Sequence, residues 1–389
     1  MACLTRSQHV RGNRKFAHNR NSVDRGVVEF DLIDQYFNRP FRSLSEACNR
    51  TVVATIGDDC ATLAVEPGNR LYVTTDTLVQ GVHFFSDHPA FDLGWKALAC
   101  NLSDLAAAGA QPMGFTLNLT LPRIDDAWLS GFSQGLLAMA QQASCPLVGG
   151  DTTSAGAGGV LSISITAMGQ APVSHHGFGR HLARVGDDVW VSGLPGLARI
   201  GLLAEYSNRK MLSELGASAA EQAAVVSHLA DLPADLLTQA KSALYTPTPQ
   251  LELSGLLSGH AHACIDLSDG LSGDLAHISK ASACQIQIDQ AAVEALWTTR
   301  FPSLRVNTAA SKSSLLGFLK QASLIGGDDY QLCWSASPKS RSVLESLVES
   351  PARIGTVVDG QGVWLIQNDI SLQPLYSCSY DHFQVSSRE

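Results

Sequence analysis

The sequence lacks the motifs by which many nucleotide and metal sites are recognised. It has no complete G-x-x-x-x-G-K-[ST] loop, no G-x-G-x-x-G fingerprint and no protein-kinase signature. The P-loop, Rossmann and protein-kinase modes of nucleotide binding are therefore excluded. Its nine cysteines include no Cys-x-x-Cys pair and no cluster with histidine. This spacing argues against a structural zinc site, and we expect reduced, mostly buried thiols.

Long apolar runs are missing as well. The chain has no run of about 18 apolar residues, and its first residues lack the apolar stretch of a secretory signal. We therefore expect a cytoplasmic protein with no membrane partner. With 389 residues, of which 45% are hydrophobic and 16% charged, the chain is expected to form more than one domain.

Positive charge is concentrated in the first 23 residues. These contain five of the 27 basic residues and none of the 36 acidic ones, so the rest of the chain is more acidic than the net charge of −9 indicates. An acidic protein is disfavoured as a nucleic-acid partner. We predict that residues 1–27 are a disordered basic extension; a nucleic-acid-binding arm and a misplaced translation start are the alternatives.

Helical and strand patterns alternate along the chain. A helical pattern begins at residue 28 and is expected to stop at Pro40, and an amphipathic helix over 91–109 is expected to end in a left-handed cap at Gly109. The elements predicted after it are a strand at 113–122, a helix at 125–143, a loop at 148–159, strands at 161–169 and 188–193, an Ala-rich helical section at 211–242 and a surface loop at 298–314. The alternating strands predict an α+β fold of mixed α/β type, a sandwich or partly open barrel rather than a doubly wound parallel sheet.

Aspartates recur at the ends of predicted elements, inside apolar or glycine-rich segments. Six segments have this character: IGDDCATL, TTDTLVQGVHF, NLSDLAAAGAQP, VGGDTT, IDLSDGL and IGGDDY. A buried, unpaired carboxylate is costly, and few Lys or Arg residues lie beside these segments. Oxygen ligands without His or Cys predict Mg²⁺ or Mn²⁺, with Ca²⁺ less favoured, as the counter-charge.

Single members of this set have a plainer interpretation. Asp58 or Asp269 alone is typical of a helix N-cap. Asp104 differs, because NLSDLAAAG places it at the end of an Ala-rich helix, where a carboxylate has no capping use. GGDTT and GGDDY each combine two glycines with a carboxylate, which predicts a metal held against a polyphosphate.

In this order, the motifs resemble those of the thiamine-monophosphate kinase family, within the aminoimidazole ribonucleotide synthetase-like superfamily. The resemblance runs from residue 28 to Phe383. It implies ATP-dependent phosphorylation of thiamine monophosphate to thiamine diphosphate, with several Mg²⁺ ions per site and ATP as co-substrate. It also implies an N-terminal metal- and ATP-binding domain over 28–172, with a half-barrel sheet and helices. A C-terminal α/β sandwich over 173–389 would complete the nucleotide and substrate site, and the N-terminal domains would form a homodimer.

The resemblance assigns roles to single residues. The implied metal ligands are Asp58, Thr74, Thr75, Asp76, Asp104, Asp151, Asp266 and Asp269. The implied ATP contacts are Gly150, Asp151, Arg180 and Ser268, and the implied contacts to thiamine monophosphate are His83, Asp328 and Tyr380. The expected catalytic residues are Asp104, Asp151 and Arg180. For His83, a structural hydrogen bond is an equal alternative.

Three departures from the family pattern concern the substrate pocket. The family usually has Gly-Gly-Glu-Asp-Tyr where this chain has GGDDY, so Asp328 is one methylene shorter. SYDHF replaces Gly-Trp-Asp-His-Phe, which leaves Tyr380 as the aromatic residue, and RHLARVGD lacks the family's first glycine and proline. Two alternatives stay open: another ATP-using enzyme of the superfamily, and a non-catalytic sensor of nucleotide or divalent cations.

Overall fold

The computed structural model describes residues 29–48, 51–173, 178–304, 309–348, 351–367 and 371–375. The predicted basic extension and Tyr380 lie outside these residues. Within them, no helix is long and apolar enough to cross a membrane. The seven cysteines described are all free thiols, and five of them are buried, as expected from their spacing.

The first part of the chain builds a four-stranded sheet with two long helices. Its elements are α1 (Glu29–Ile33), a π-helical turn (Asp34–Asn38), α2 (Arg39–Ala47), β1 (Val52–Ala54), β2 (Thr62–Leu63), β3 (Asn69–Val79), α3 (Ala90–Ala107), β4 (Gln111–Leu121), α4 (Asp126–Gln142), β5 (Leu147–Ser154) and β6 (Ser162–Pro172). The prediction that Pro40 ends a helix is wrong. Pro40 stands in the first turn of α2, directly after the π-helical turn, and the chain is helical on both sides of it.

The sheet order is β3-β6-β4-β5, with β4 and β5 parallel and the other neighbours antiparallel. Alternate residues of β4, including Phe115, Leu117 and Leu119, are buried in the core that α3 and α4 cover. The two helices approach closely, since a Cβ at Gly135 of α4 would lie 1.8 Å from the carbonyl oxygen of Phe91. The segment VGGDTTS was predicted as a loop but forms β5, because pairing with β4 overrides the low strand preference of its glycines.

The second part of the chain builds a seven-stranded sheet. Its elements are a 3₁₀ turn (Arg180–Leu182), β7 (Asp188–Val191), α5 (Leu197–Asn208), a 3₁₀ turn (Leu212–Leu215), α6 (Ala219–Ala230), α7 (Ala234–Tyr245), α8 (Leu251–Leu256), β8 (Ala261–Asp266), α9 (Leu271–Ser282), β9 (Gln285–Asp289), α10 (Gln290–Arg300), α11 (Ala309–Ile325), β10 (Leu332–Ala336), a 3₁₀ turn (Pro338–Ser340), α12 (Arg341–Glu345), β11 (Ala352–Val358), β12 (Gly362–Gln367) and β13 (Ser371–Pro374). The order is β13-β12-β9-β11-β7-β10-β8, antiparallel except for the pair β12 and β9.

The surface loop predicted at 298–314 is largely wrong. Residues 298–300 are the last turn of α10, and α11 begins at Ala309. Phe301 and Leu304 in this stretch, and Leu315 directly after it, are buried in the same core as Leu319. The polar composition of this segment therefore did not reveal its helix. Burial of a few apolar side chains overrides the intrinsic secondary-structure propensity of the segment.

Helix α3 connects the two sheets. Leu98, Leu102 and Leu105 belong to the core beneath the first sheet, whereas Ala106 belongs to a core with Trp334 of the second sheet. The predicted cap is confirmed, because Gly109 follows α3 with φ of +72°. The mixed sheets with helices confirm the predicted α+β class, and α3 brings residues of both sheets towards one site.

Candidate active site

Three aspartates from three elements form the centre of the candidate site. Asp76 lies in β3, Asp104 lies in the last turns of α3, and Asp266 ends β8. Thr74 joins the first two elements, because its hydroxyl donates a hydrogen bond to the Asp104 carboxylate. The structure therefore brings together four of the residues predicted as metal ligands.

Burial and mutual repulsion raise the pKa values of these carboxyl groups. Burial, followed by the charge of Asp104, raises the pKa of Asp76 to about 6. Burial, followed mainly by the charge of Asp104, raises the pKa of Asp266 to about 7. Burial also raises the pKa of Asp104, opposed by the Thr74 hydrogen bond and the charge of Arg180. A cation bound nearby would therefore stabilise the ionised form of each of these carboxyl groups.

Arg180 lies beside this cluster in the 3₁₀ turn that precedes the second sheet. Its side chain is exposed, and its positive charge lowers the pKa of Asp104 against the effect of burial. The backbone of the turn is fixed by α9, since the Ser282 hydroxyl donates to the Arg180 carbonyl oxygen at 2.8 Å. A cation on a fixed backbone beside a carboxylate cluster is placed to contact an anionic ligand.

The segments IDLSDGL and IGGDDY lie against each other. The N–H of Asp328 donates to the Ser268 carbonyl oxygen, and that of Tyr330 donates to the Leu267 carbonyl oxygen, each at 2.9 Å. Gly327 allows this contact, because a Cβ there would lie 2.1 Å from the Ser268 oxygen. The glycines of GGDDY thus serve backbone packing, which differs from the phosphate approach predicted for them. Asp274 holds the first loop, accepting from the Asp269 N–H at 3.1 Å.

The acidic residues of GGDDY have two different environments. Asp329 is buried and accepts hydrogen bonds from the N–H groups of Gly196 at 2.6 Å and Ala198 at 3.0 Å, so it caps α5. Asp328 is partly exposed, and its carboxylate pairs with Lys96 at 3.1 Å and accepts from the Tyr330 hydroxyl at 3.0 Å. Only Asp328 is therefore available to a ligand.

Lys96 was missed in the sequence. It lies in α3, two helical turns before Asp104, and its side chain is 2% exposed. The sequence did contain an indication of its role: a single lysine among the apolar residues of GWKALAC. A lysine in a buried helix requires a partner. The partner was not visible, since Asp328 is distant in the sequence.

Other predicted residues lie elsewhere or have other contacts. Asp58 is exposed and its carboxylate accepts from the N–H of Asp59. The Thr75 hydroxyl donates to the Ile165 carbonyl oxygen at 3.0 Å across the sheet. Nδ1 of His83 accepts from the N–H of Val79 at 3.0 Å, which is a structural hydrogen bond of the kind weighed against its substrate role.

Gly150 and Asp151 lie on β5, at the far edge of the four-stranded sheet from Asp76. A Cβ at Gly150 would lie 1.9 Å from the Leu117 carbonyl oxygen, so this glycine permits close pairing with β4. Asp151 is exposed and is aligned with Asn118. Three strand spacings separate the two edges, which places Asp151 about 14 Å from β3 within one chain.

The donor set fits a hard divalent cation that has further ligands. Among the residues that the structure describes, no three His, Cys, Asp or Glu side chains are grouped closely enough to hold a metal ion by themselves. Mg²⁺ is commonly bound by one or two carboxylates together with water and substrate phosphates. Asp76, Asp104 and Asp266 suit that mode, because they offer oxygen ligands and lack neighbouring His or Cys ligands.

Similarity to known proteins identifies the family. Residues 57–171 match the model of the AIR synthase related protein, N-terminal domain. A thiamine-monophosphate kinase of Haemophilus influenzae is 35% identical over 365 residues, which cover 92% of this chain and 98% of that protein. The chain belongs to the thiamine-monophosphate kinase family.

Solved structures agree with this assignment to the thiamine-monophosphate kinase family. The crystal structure of thiamine-monophosphate kinase from Stenotrophomonas maltophilia K279a has a TM-score of 0.66 and 36% identity, covering 84% of this chain and 95% of that chain. AaThiL complexed with AMPPCP and TMP has a TM-score of 0.60 and 25% identity, covering 85% of this chain and 92% of that chain. The resemblance and the fold predicted from the motifs are confirmed.

Proposed function

We propose that the chain catalyses ATP-dependent phosphorylation of thiamine monophosphate to thiamine diphosphate. The observation that carries this proposal is its 35% identity to a thiamine-monophosphate kinase over nearly the full length of that protein. The carboxylate cluster of Asp76, Asp104 and Asp266 supplies the chemical support, because polyphosphate transfer requires divalent cations beside the phosphates. A relative solved with AMPPCP and TMP supports the choice of both substrates.

The main obstacle to this reaction is charge repulsion. The nucleophile is a phosphate oxygen of the substrate, which is largely dianionic at neutral pH because the second pKa of a phosphomonoester is about 6. No general base is therefore required. Two unit charges at about 4 Å repel by roughly 4 kcal/mol at an effective dielectric constant of 20. Magnesium ions, when bound, supply counter-charge between the two anions.

The chain's own residues have distinct roles in this proposal. Asp76, Asp104 and Asp266 would hold Mg²⁺, and Thr74 orients the Asp104 carboxylate through its hydrogen bond. Arg180 stabilises negative charge on the transferred or leaving phosphate. Transfer is direct and in line, without a phosphoenzyme, since the substrate itself supplies the attacking oxygen. The proposal also assigns metal-binding roles to Asp58, Thr75 and Asp269. It assigns an ATP contact to Ser268.

The substrate is bound by Asp328 together with His83 and Tyr380. Lys96 and Tyr330 fix the Asp328 carboxylate, which stays partly exposed. This arrangement suits a directional contact to the aminopyrimidine or thiazolium part of the substrate. Tyr380 keeps the role that the sequence predicts for it.

We also propose a homodimer that joins the two sheet edges. Among the residues that the structure describes, one edge of strand β3 has no neighbouring strand, and its Leu71 and Val73 are 50% and 59% exposed. Exposed apolar edge strands favour pairing with another chain. If β3 of one protomer faces β5 of its partner, the Asp151 of one protomer approaches the Asp76 cluster of the other. This explains why a residue expected in the site lies at the opposite edge of its own sheet.

The test is product formation by the purified protein with Mg²⁺, ATP and either thiamine monophosphate or thiamine. Chromatography separates the products. We expect thiamine diphosphate and ADP in equal amounts from thiamine monophosphate, and no phosphorylation of thiamine. Binding of ATP without either product would instead favour a nucleotide sensor. Turnover only with another phosphorylated acceptor would favour a different enzyme of the superfamily.

A further inference from the structure

Lys96 is a buried cation with two defined acceptors. Its Nζ lies 3.1 Å from Oδ2 of Asp328 and donates to the Leu244 carbonyl oxygen at 3.2 Å. The whole residue is 1% exposed, so the side chain is almost entirely removed from solvent. Burial of a charge is costly unless such contacts compensate it. The side chain is therefore committed to these two contacts.

The two partners of the ion pair differ in accessibility. The Lys96 side chain is 2% exposed, whereas that of Asp328 is 34% exposed. A ligand can therefore reach the carboxylate but not the ammonium group. Lys96 therefore acts on a bound ligand through the Asp328 carboxylate rather than by direct contact.

The remainder of the Asp328 environment is also fixed. The Tyr330 hydroxyl donates to Oδ1 at 3.0 Å, so each carboxylate oxygen has its own donor. Both residues have left-handed backbone conformations, with φ of +67° for Asp328 and +49° for Tyr330. Such conformations are uncommon for residues other than glycine, and strained backbone of this kind clusters at active sites and ligand-binding turns. The turn thus holds one carboxylate in one orientation.

A buried ion pair is a poor means of stabilising a fold. Replacing such a pair with apolar side chains is often neutral or favourable, so stability alone does not account for it. An ion pair that fixes the direction of a partly exposed carboxylate has a function at a binding site. Lys96 and Asp328 meet this description, because the Lys96 side chain is inaccessible and the Asp328 side chain is partly exposed beside the candidate site.

We propose that Lys96 is a positioning residue for the phosphate acceptor, which fixes the Asp328 carboxylate in the orientation that binds thiamine monophosphate. The inference depends on the substrate-binding role proposed above for Asp328. It adds a residue in α3 that does not contact substrate but determines how strongly the acceptor binds. ATP binding should be independent of it, because the carboxylate cluster remains in place.

The test is a double-mutant cycle of Lys96→Met and Asp328→Asn, measured as the KM for thiamine monophosphate and the KM for ATP. Loss of one charge-assisted contact corresponds to a rise of about 10- to 100-fold in the first KM. We expect this rise in the KM for thiamine monophosphate in both single variants. The KM for ATP should change less than about twofold, because only the binding of one substrate is weakened. The double variant should match Asp328→Asn alone. Lys241→Met is the matched control, since it removes an exposed lysine that pairs with Glu205 at 3.5 Å.

Three outcomes would overturn the inference in different ways. If Asp328→Asn raises the KM and Lys96→Met does not, the role of Asp328 stands and that of Lys96 fails. If the effects of the two substitutions multiply in the double variant, Lys96 acts independently of Asp328. If Asp328→Asn leaves the KM unchanged, the proposed substrate contact fails and the inference fails with it.

Lys96→Arg keeps the proposal testable if Lys96→Met does not fold. It retains the buried positive charge and changes the geometry at Oδ2. We expect a raised KM for thiamine monophosphate with kcat for saturated enzyme nearly unchanged. An unchanged KM in a folded Lys96→Arg protein would contradict dependence on the position of the carboxylate.

Discussion

Lys96 and Asp104 lie two turns apart on α3, and each contacts a different part of the candidate site. Lys96 pairs with Asp328 of the GGDDY segment, whereas Asp104 accepts a hydrogen bond from Thr74 and raises the pKa of Asp266. The eight residues from Lys96 to Asp104 rise about 12 Å along the helix, at about 1.5 Å per residue. One rigid helix therefore sets the spacing between the proposed acceptor contact and the proposed metal cluster.

The metal-free protein should become less stable as pH rises from about 4 to about 7, and Asp266→Asn should reduce this dependence. The pKa of Asp266 is raised to about 7 by burial, so the folded state binds a proton that the unfolded state has released. Stability from this group is therefore lost as pH rises through that window. One such carboxyl contributes a slope of up to about 1.4 kcal/mol per pH unit.

Denaturant unfolding of both proteins at several pH values, without and with Mg²⁺, measures this effect. Mg²⁺ should stabilise the wild-type protein more at pH 8 than at pH 5, because the ligands must be ionised. Parallel curves for wild type and Asp266→Asn would show that Asp266 does not titrate in this window.

Gly327→Ala should destabilise the fold, by about 1–3 kcal/mol as for an overpacked site. An added Cβ would meet the Ser268 carbonyl oxygen at 2.1 Å, where the two acidic segments are paired. Gly317→Ala is the matched control, because it lies in α11 and its Cβ would meet nothing within 4 Å. That variant should gain about 0.5–1 kcal/mol. Equal unfolding midpoints for the two variants would contradict the packing described between the segments.

Val73→Lys should convert the protein to monomers and lower its activity. Val73 is 59% exposed in a single chain, so a lysine there is accommodated by the monomer but not in an apolar interface. Val226→Lys on α6, at a position that is 49% exposed, is the control. Light scattering after size exclusion measures the mass of each. A Val73→Lys protein of unchanged dimer mass would place the interface elsewhere.

Mixing two inactive variants tests whether the site is shared between protomers. Asp76→Asn and Asp151→Asn should each lose most activity as pure proteins. After unfolding and refolding together, mixed dimers contain one site with both substitutions and one with neither, so activity should reappear. Activity that stays absent, in samples shown to contain mixed dimers, would mean that both residues serve the same site within one chain.

The elements that the sequence predicts well have strong local patterns. Helix α3 and strands β4 and β6 show clear periodicity, and their cores are buried as expected. β5 was missed because its two glycines weaken the strand pattern, and only pairing with β4 makes it a strand. The end of the first helix was misplaced because Pro40 is tolerated in the first turn of α2.

The candidate site was predictable in its residue types but not in its arrangement. Asp76, Asp104 and Asp266 stood out as carboxylates in apolar segments, and the structure brings them together. Lys96 and its contact with Asp328 depend on the docking of α3 against a distant segment, which no local pattern encodes. The placement of Asp151 at the opposite sheet edge follows from strand order, which local periodicity does not determine.

The most direct test is the turnover of Asp104→Asn with saturating Mg²⁺, ATP and thiamine monophosphate. The substitution keeps the shape of the side chain and removes the charge that acts on both Asp76 and Asp266. We expect a folded protein with thiamine diphosphate formation reduced by about 100-fold or more, as for loss of a central electrostatic group. Asp235→Asn, exposed on α7, should keep wild-type turnover. A folded, metal-saturated Asp104→Asn protein with near-normal turnover would contradict the role assigned to the cluster.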